Sequence, residues 1–454
     1  MKSLYEKFTA STGVCTDSRA ITEGCLYFAL KGEYFNGNLF AEEALAKGAA
    51  YAIIDEPAVK ASEQMLVVDD VLSTLQQLAN YHRRTLGTLV IGITGSNGKT
   101  TTKELIASVL GQGMQVVSTR GNLNNHIGVP LTLLSIKPET DIAVVEMGAN
   151  HPGEIAFLCN IAEPDYGYIT SIGKAHLEGF GSFEGVVKTK GELFDYLKAH
   201  HKTIFLNAKD TLQAGLVASY EHVYTFGDTP MANVHIQCLA TQPVTALLTD
   251  SSQSLTAEPA THAIDFLPED IEGFTEPHTT IAAHLRGDYN FTNVAAAIAI
   301  GRYFKLSPAA IKRGIEQYVP NNNRNQFLKC GSNTVVLDAY NANPSSMTAA
   351  IGNVVAMEGF AKKALILGDM FELGSYAAAE HQRIVDLISE HSWAGVYLIG
   401  EQFSATDTSY PKYKTFEAFA ASFPKDAFAD TLILIKGSRG MALERIITEG
   451  LLSE

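Results

Sequence analysis

The sequence is short of positive charge. Its 454 residues contain 34 Lys and Arg against 49 Asp and Glu, which gives a formal net charge of −15 at pH 7. Proteins that bind nucleic acids hold the phosphates with clustered basic side chains, so this balance argues against a nucleic-acid partner. A phosphate-bearing ligand must therefore be held by local loops and not by the field of the whole protein.

Cysteines are also few. The five lie far apart, at positions 15, 25, 159, 238 and 330, and no Cys-x-x-Cys pair occurs. This spacing argues against a disulfide framework and a zinc knuckle. Long apolar runs are missing as well, so we expect no membrane span, and the first 13 residues lack the apolar core of a signal peptide. We therefore expect a cytoplasmic protein with reduced thiols.

The chain is otherwise typical of a globular protein, with 46% hydrophobic and 18% charged residues. Its length exceeds what one hydrophobic core usually supports, so we expect several domains. We predict an α/β protein of three domains. A small N-terminal α/β domain covers residues 1–84, a central P-loop-type parallel sheet covers 85–318, and a C-terminal Rossmann-like, doubly wound domain covers 319–454.

This division depends on short apolar runs that alternate with helical patterns, which is typical of parallel sheets covered by helices. In the central segment the strand-length runs are 89–93, 142–145, 168–172 and 203–206, and in the last segment they are 335–337, 364–367, 396–399 and 432–435. Residues 228–285 break this rhythm, and their runs at 262–266 and 279–285 predict antiparallel strands. The polar segment 320–323 predicts a linker.

A glycine-rich loop, Gly-Ile-Thr-Gly-Ser-Asn-Gly-Lys-Thr-Thr-Thr at residues 92–102, lies between a predicted strand and a predicted helix. Such a loop points backbone N–H groups and the positive end of a helix dipole at a phosphate. Lys99 can reach the terminal phosphate oxygens, and the Thr100 hydroxyl can hold Mg²⁺. Ile93 stands where the common pattern has glycine, so the spacing is a variant. We predict that the loop binds ATP, and that the Lys99 amine faces solvent until the nucleotide arrives.

Three further residues are candidates for the same site. Glu146 ends a predicted strand, where it would meet the phosphate loop and bind Mg²⁺, although alone it would be read as a solvated acid. His176 follows the next strand in a glycine-dense loop, and is either a second metal ligand or an ordinary surface histidine. Lys190 lies near the start of a predicted helix, and periodicity alone makes it a lysine on a solvated face.

Taken together, these residues resemble the Mur ligase family of ATP-dependent enzymes that form amide bonds, and the resemblance covers essentially the whole chain. The loop Thr94–Thr100 is similar to the family's ATP loop, including its variant glycine spacing. The other similar segments are Asp17-Ser-Arg19, Phe28-Ala-Leu-Lys-Gly-Glu33, Gly121-Asn-Leu-Asn-Asn125, Gly128-Val-Pro130, Asp288-Tyr-Asn-Phe-Thr-Asn293, Asp338-Ala-Tyr-Asn-Ala-Asn-Pro344, Leu367-Gly-Asp-Met370, Glu372-Leu-Gly374 and Lys436-Gly-Ser-Arg439.

The resemblance implies roles for individual residues. Lys99, Lys190 and His176 would be catalytic, and Lys190 would be the lysine that members carry as a carbamate. Mg²⁺ would be bound by Thr100, Glu146, His176 and Lys190. ATP would be bound by Gly95, Ser96, Asn97, Gly98, Lys99, Thr100, Thr101, Asn290, Asn293, Arg324 and Asp338. The other substrates would be bound by Asp17, Ser18, Arg19, Asn124, Asn125, Asn341, Asn343 and Lys436.

The resemblance also implies an activity. Within the family, the chain resembles the member that adds D-Ala-D-Ala to UDP-N-acetylmuramoyl-tripeptide in peptidoglycan synthesis. That enzyme works through an acyl phosphate and uses ATP and Mg²⁺. We expect a monomer. Another Mur-type ligase, a folylpolyglutamate synthase and a nucleotide-dependent switch that ligates nothing are the alternatives. The sequence leaves open whether the third residue of the tripeptide is diaminopimelate or lysine.

Overall fold

The computed structural model describes residues 1–249, 278–320, 323–424 and 427–452. Three main sheets organise these residues, and each sheet holds one consecutive part of the chain. The predicted α/β architecture with three parts is thereby confirmed. The boundaries at residues 84/85 and 318/319 stay a prediction, and residues 321 and 322 of the proposed linker lie outside the described residues.

The N-terminal part is a small parallel sheet with flanking helices. Its strands are β1 (Val14–Cys15), β2 (Leu26–Phe28), β3 (Lys31–Gly32), β4 (Phe35–Asn36), β5 (Tyr51–Ile54) and β6 (Met65–Val67), and its helices are α1 (Lys2–Thr9), α2 (Ala41–Ala46) and α3 (Val71–Leu86). The sheet order is β1-β2-β5-β6, and β3 and β4 form a separate hairpin. Helix α3 begins where the Asp70 side chain accepts the Ser73 N–H, and ends at Gly87, whose φ is 67°.

The central part is built on a nine-stranded sheet. Its strands are β7 (Leu89–Thr94), β8 (Val116–Ser118), β9 (Ile142–Glu146), β10 (Tyr166–Ile169), β11 (Thr203–Asn207), β12 (Val223–Gly227), β13 (Val234–Thr241), β14 (Val244–Thr249) and β15 (His278–Ala282). Its helices are α4 (Lys99–Leu110), α5 (Gly128–Leu134), α6 (Glu154–Ala162), α7 (Leu177–Phe180), α8 (Phe183–Ala199), α9 (Thr211–Val217), α10 (Asp288–Tyr303) and α11 (Pro308–Gln317).

The order of this sheet is β15-β14-β13-β12-β11-β10-β7-β9-β8. The pairs from β8 to β13 are parallel, whereas β13, β14 and β15 pair antiparallel, as predicted for this segment. The predicted strand at 262–266 lies outside the described residues. Helices α4, α10 and α11 cover one face of the sheet, and α5, α6 and α8 cover the other. Helix α3 of the N-terminal part packs against α5 and α6.

The C-terminal part has a six-stranded sheet in the order β16-β17-β21-β18-β19-β20, with β16 (Gln326–Cys330), β17 (Asn333–Asp338), β18 (Lys362–Gly368), β19 (Gly395–Ile399), β20 (Lys412–Tyr413) and β21 (Thr431–Lys436). Only the β16–β17 pair is antiparallel in this described sheet. Its helices are α12 (Pro344–Ala356), α13 (Ala377–Ser389), α14 (Glu401–Ser404), α15 (Phe416–Ser422) and α16 (Arg445–Thr448). The predicted doubly wound arrangement is confirmed.

The C-terminal part is seated on the central part through polar contacts. The Asn343 side-chain amide donates to Asn97 Oδ1 at 2.8 Å, and the Lys174 backbone N–H donates to Ser345 Oγ at 2.9 Å. Lys174 Nζ also lies 2.6 Å from a carboxylate oxygen of Glu380. These contacts bring the carboxyl ends of strands from both sheets to one cavity. Among the described residues, no helix is long and apolar enough to cross a bilayer.

Candidate active site

A cavity of about 1130 Å³ lies between the central and C-terminal parts. The loops that follow β7, β9 and β10 form one wall, and the loops that follow β17, β18 and β21 form the other. Ligands bind at this edge of parallel sheets because the loops there leave a crevice. The predicted residues that line the cavity are Ser96, Asn97, Gly98, Lys99, Thr100, Thr101, Asn124, Asn125, Glu146, His176, Asn290, Asn293, Arg324, Asp338, Asn341 and Lys436.

The glycine-rich loop has the backbone that a phosphate cradle needs. Gly95 has a φ of 144°, and a side chain there would meet Thr170 Oγ1 at 2.1 Å. Gly98 has a φ of 83° and is the residue before α4, so the free N–H groups of the first helical turn face the loop. Side chains other than glycine would strain the backbone and fill the space at both positions. The loop is therefore shaped by its glycines at 95 and 98.

Lys99 differs from the sequence prediction. Its side chain is half-buried and does not face solvent, and Nζ donates to the carbonyl of Gly95 at 2.6 Å. Burial lowers the pKa of Lys99, the Glu146 carboxylate opposes that shift, and the charge of Arg324 adds to it. The loop turns its own carbonyl towards the amine because the cation needs an oxygen partner once water is removed. A phosphate oxygen would replace this internal partner.

Glu146 is a buried carboxylate and not a solvated one, with a relative exposure of 1%. Its Oε1 accepts a hydrogen bond from the Asn124 side-chain amide at 2.8 Å, and its backbone N–H donates to Thr119 Oγ1 at 2.9 Å. Its Oε2 is buried and has no hydrogen-bond partner among the described residues. A buried carboxylate oxygen without a donor is satisfied by a bound cation or a water molecule. Glu146 therefore fits a metal ligand beside the phosphate loop.

Lys190 is buried in the middle of α8, with a relative exposure of 1%, so the solvated-face interpretation of this lysine is wrong. Its Nζ donates to the Ala149 carbonyl at 3.3 Å and lies 5.2 Å from the centre of the Phe180 ring. Burial, with a smaller contribution from the positive charge of Lys99, lowers the pKa of the Lys190 amine to about 7. Much of this amine is therefore uncharged near neutral pH, as a nucleophilic amine must be.

His176 lines the cavity and contacts a carboxylate from the C-terminal part. It has a φ of 51°, in the left-handed region, and its Nδ1 lies against Oε2 of Glu372. This contact lowers the pKa of the Glu372 carboxyl. Phe180 packs edge-on against the imidazole, with ring centres 6.2 Å apart. The histidine is thus held on two sides and is not a surface residue.

Two asparagines of α10 lie below the loop. Asn293 donates to Asn290 Oδ1 at 3.0 Å and accepts a hydrogen bond from the Thr102 hydroxyl at 3.0 Å. Asn290 donates to the carbonyl of Arg286 at 2.7 Å. A side chain at Gly98 would approach Asn293 Oδ1 to 2.7 Å, which ties α10 closely to the phosphate loop. Both amides line the cavity, where they can donate to a nucleotide base.

The opposite wall carries positive charge. The Arg324 guanidinium stacks on the Tyr340 ring at 3.8 Å, and Arg439 approaches the same ring at 5.1 Å. The buried Lys436 amine donates to Asp338 Oδ2 at 2.5 Å and to the carbonyl of Asn341 at 3.0 Å. These cations suit a ligand with several phosphates, and they lie at the site in spite of the acidic net charge.

Some predicted residues lie outside this cavity. Asp17 and Arg19 form a two-pronged ion pair in an exposed loop of the N-terminal part, and the pair lowers the pKa of Asp17 to about 2. Ser18 accepts a hydrogen bond at its backbone carbonyl from Lys47. Asn343 starts α12 by accepting the Ser346 N–H, and so serves the fold at this position. Gly95 does not line the cavity but is the hydrogen-bond partner of Lys99.

Sequence reasoning assigned no role to several residues of the site. Tyr340, Glu372 and Arg439 stood inside the quoted motifs, but only the fold shows that they face the cavity. Thr119, which holds the backbone of Glu146, and Phe180, beside Lys190, carried no sequence signal. Among the described residues, no group of three or more His, Cys, Asp and Glu could alone hold a metal ion. A metal here needs hydroxyl and phosphate oxygens as well.

Comparisons with known proteins agree with this arrangement. The model of the Mur ligase middle domain matches residues 93–301, that of the Mur ligase glutamate ligase domain matches 323–439, and that of the Mur ligase family catalytic domain matches 11–83. The chain is 36% identical to the UDP-N-acetylmuramoyl-tripeptide–D-alanyl-D-alanine ligase of Bacillus subtilis (strain 168), over 98% of this chain and 94% of the relative.

Solved structures give the same result. The chain is similar to MurF from Acinetobacter baumannii, with a TM-score of 0.81, 29% identity, and 97% of this chain and 93% of the other covered. It is also similar to the MurF ligase of Thermotoga maritima in complex with ADP, with a TM-score of 0.80, 25% identity and coverage of 99% and 98%. The chain belongs to the Mur ligase family.

Proposed function

We propose that the protein is the ATP-dependent ligase that adds D-Ala-D-Ala to UDP-N-acetylmuramoyl-tripeptide in peptidoglycan synthesis, forming ADP and phosphate. The relative in Bacillus subtilis carries this activity in its name, and the two chains match over nearly their full lengths. The observation that carries the proposal is the meeting of Lys99 and the unpartnered Glu146 carboxylate at one cavity walled by two domains. The buried Lys190 lies behind this cavity, where its amine donates to the carbonyl of the lining residue Ala149. Phosphoryl transfer needs such a concentration of fixed charge.

The reaction has two steps. In the first, a carboxylate oxygen of the tripeptide attacks the γ-phosphorus of ATP, the bond to the β-phosphate oxygen breaks, and ADP leaves. In the second, the amine of D-Ala-D-Ala attacks the acyl carbon, the amine loses a proton, and phosphate leaves. Lys99 and Arg324 would neutralise charge on the transferred group, and seating of the C-terminal part would exclude the water that hydrolyses an acyl phosphate.

The residues fit Mg²⁺ as a cofactor. The orphaned Glu146 Oε2 and the Thr100 hydroxyl are hard oxygen ligands beside the phosphate loop, and His176 and a carbamylated Lys190 would complete a second position. Mg²⁺ usually takes one or two carboxylates together with substrate phosphates, so the absence of an all-protein acidic cluster in the described residues is no obstacle. When bound, Mg²⁺ would supply charge neutralisation on the phosphoryl oxygens.

Lys190 would act as a carbamate. Its neutral amine would attack CO₂, forming an N–C bond and releasing one proton, and the product carries a negative charge where the ammonium was positive. Two features support this: the pKa of the amine is lowered to about 7, and the positive charge of Lys99 repels an ammonium there and would attract the carbamate, against the smaller opposing effects of Glu154 and Glu192. The product would give the buried site an anionic metal ligand.

The N-terminal part would bind the UDP moiety, through residues that do not line the cavity of the phosphate loop. Arg19→Ala removes an exposed guanidinium, with a side chain 87% exposed, that no other described element uses for packing. We expect KM for the UDP substrate to rise while kcat stays close to the parent value, because the contact is equal in ground and transition states. Steady-state kinetics with varied UDP substrate checks this. An unchanged KM would contradict the assignment.

Release of ADP, measured with and without D-Ala-D-Ala, tests the proposed function. We expect ADP to form at a sustained rate only when ATP, the UDP-tripeptide and D-Ala-D-Ala are all present, since the acyl phosphate has no other acceptor. A nucleotide-dependent switch would hydrolyse ATP at a rate that the dipeptide does not change. Tripeptides with diaminopimelate and with lysine at the third position would show which acceptor the protein takes.

We further propose that the protein works in the cytoplasm as a monomer, and that its functional domains divide at 84/85 and 318/319. The five free cysteines support a reducing compartment. Helix α11, which ends at Gln317, supports the second boundary, whereas helix α3 runs past the first and ends at Leu86. Size-exclusion chromatography with light scattering measures the oligomeric state.

A further inference from the structure

The loop that follows β18 reaches across the domain boundary to the histidine of the central part. Residues 372–376 pack on the segment 176–181: the Glu178 N–H donates to the Glu372 carbonyl at 3.2 Å, and the Tyr376 hydroxyl donates to the Gly181 carbonyl at 3.2 Å. Glu372 has a φ of 61°, and its carboxylate lies against His176 Nδ1. Two left-handed residues from two domains therefore meet at the cavity.

The contact is an ion pair at Nδ1, without the geometry of a hydrogen bond, and Nε2 is the ring nitrogen left for a ligand in the cavity that His176 lines. Metal-binding histidines almost always donate their second ring N–H to a carboxylate or carbonyl, which fixes the tautomer and the direction of the ring. In this fold the carboxylate comes from a domain different from that of the histidine. His176 thus has this partner only when the C-terminal part is seated.

The contact between Glu372 and His176 contributes little to the stability of the fold. The side chains of Glu372 and His176 are 52% and 19% exposed, and ion pairs that remain partly open to solvent contribute little to the free energy of unfolding. A second ion pair across the same boundary, Lys174 with Glu380, has a distance of 2.6 Å but does not touch His176. Substitutions in the two pairs therefore distinguish two effects. A change in the Lys174 pair affects a contact that seats the C-terminal part, whereas a change in the Glu372 pair also affects the orientation of His176.

We propose that Glu372 is a positioning residue that couples seating of the C-terminal part to metal binding, by fixing the His176 ring so that Nε2 faces the bound nucleotide and metal. This inference rests on the proposed function, which supplies the nucleotide and the metal. A ligase built in this way completes its metal site only in the closed arrangement, when water is excluded from the acyl phosphate.

The test uses Mn²⁺ as the probe metal, titrated into the full-length protein with a non-hydrolysable ATP analogue and followed by electron paramagnetic resonance. We expect Glu372→Ala to weaken one of the bound Mn²⁺ ions by about tenfold, the size of effect that follows loss of a carboxylate behind a metal-binding histidine. His176→Ala should weaken the same ion. Lys174→Gln, the matched control, removes one ion pair of the boundary but keeps the contacts of Ser345 and Asn343, so seating should persist and the Mn²⁺ affinity should stay close to the parent value.

The double variant His176→Ala/Glu372→Ala decides whether Glu372 acts through the histidine. Its Mn²⁺ affinity should equal that of His176→Ala alone, because the carboxylate has nothing left to orient. Parent-like Mn²⁺ binding by Glu372→Ala or by His176→Ala would overturn the proposal, and so would an equal loss in Lys174→Gln. Ligation by the parent protein is measured separately, so its failure would count against the proposed function and not against this contact.

Discussion

Lys190→Ala is expected to lower turnover by about 10²–10³-fold, the range that follows removal of one pre-placed electrostatic partner from an active site. Under the proposed function, the variant would lose the amine that takes up CO₂, and with it the anionic ligand of one Mg²⁺. The fold should survive, because the Lys190 Nζ contacts that the described residues show are a 3.3 Å hydrogen bond to Ala149 and a ring contact with Phe180. Activity, circular dichroism and Mn²⁺ binding on the same sample check the prediction.

Chemical rescue sharpens this test. A short-chain carboxylate added to Lys190→Ala should occupy the emptied space and restore part of the rate, whereas Lys190→Glu should recover little because its side chain is shorter than a lysine carbamate. Nuclear magnetic resonance with ¹³C-labelled CO₂ should show a carbamate signal in the parent protein and none in the variant.

Lys188→Ala is the matched control for this experiment. Lys188 lies on the same helix but is exposed, so its removal should change neither turnover nor the carbamate signal. Near-normal turnover of Lys190→Ala would remove the lysine from the mechanism.

Lys99→Ala is expected to abolish ligation to within the detection limit, at least about 10³-fold, since in the proposed reaction the amine would contact the phosphoryl group on which charge develops. The cost to the fold should be small, because within the described residues the Lys99 amine donates only to carbonyls of its own loop, at Gly95 and Ser96. The measurements are turnover, the affinity for a non-hydrolysable ATP analogue and the melting temperature.

The affinity of Lys99→Ala for the UDP-tripeptide serves as the internal control. It should match that of the parent protein, because the proposed UDP site lies in another domain. Appreciable residual turnover in a folded variant would contradict the role given to Lys99.

The sequence predicted the fold well because buried parallel strands are short apolar runs with helices between them. The run at 168–172 shows the limit: the strand is Tyr166–Ile169, because Thr170 and Ser171 leave the sheet to bond the phosphate loop. Thr170 Oγ1 donates to the Asn97 carbonyl at 2.6 Å, and no local sequence pattern predicts this hydrogen bond. The end of this strand is therefore determined by hydrogen bonds to the phosphate loop and not by the β-propensity of its residues.

The phosphate loop and Glu146 could be found from sequence, since both stand directly at the ends of apolar strands. The burial of Lys190 could not be predicted from the sequence, because it depends on contacts with Phe180 and Ala149. These residues lie in a neighbouring helix and a loop that only the folded chain brings next to Lys190. The contact of His176 with Glu372 lies further beyond prediction, since it exists only when two domains are seated together. Periodicity carries no information about that docking.

Transfer of oxygen from the tripeptide to phosphate tests the central claim most directly. The terminal carboxylate of the UDP-tripeptide is labelled with ¹⁸O, the protein turns it over with ATP and D-Ala-D-Ala, and the released phosphate is analysed by mass spectrometry. Attack of the carboxylate on the γ-phosphorus leaves one of its oxygens on phosphate when the amide forms. We expect one ¹⁸O atom in each phosphate released, and phosphate free of label would contradict an acyl-phosphate ligase.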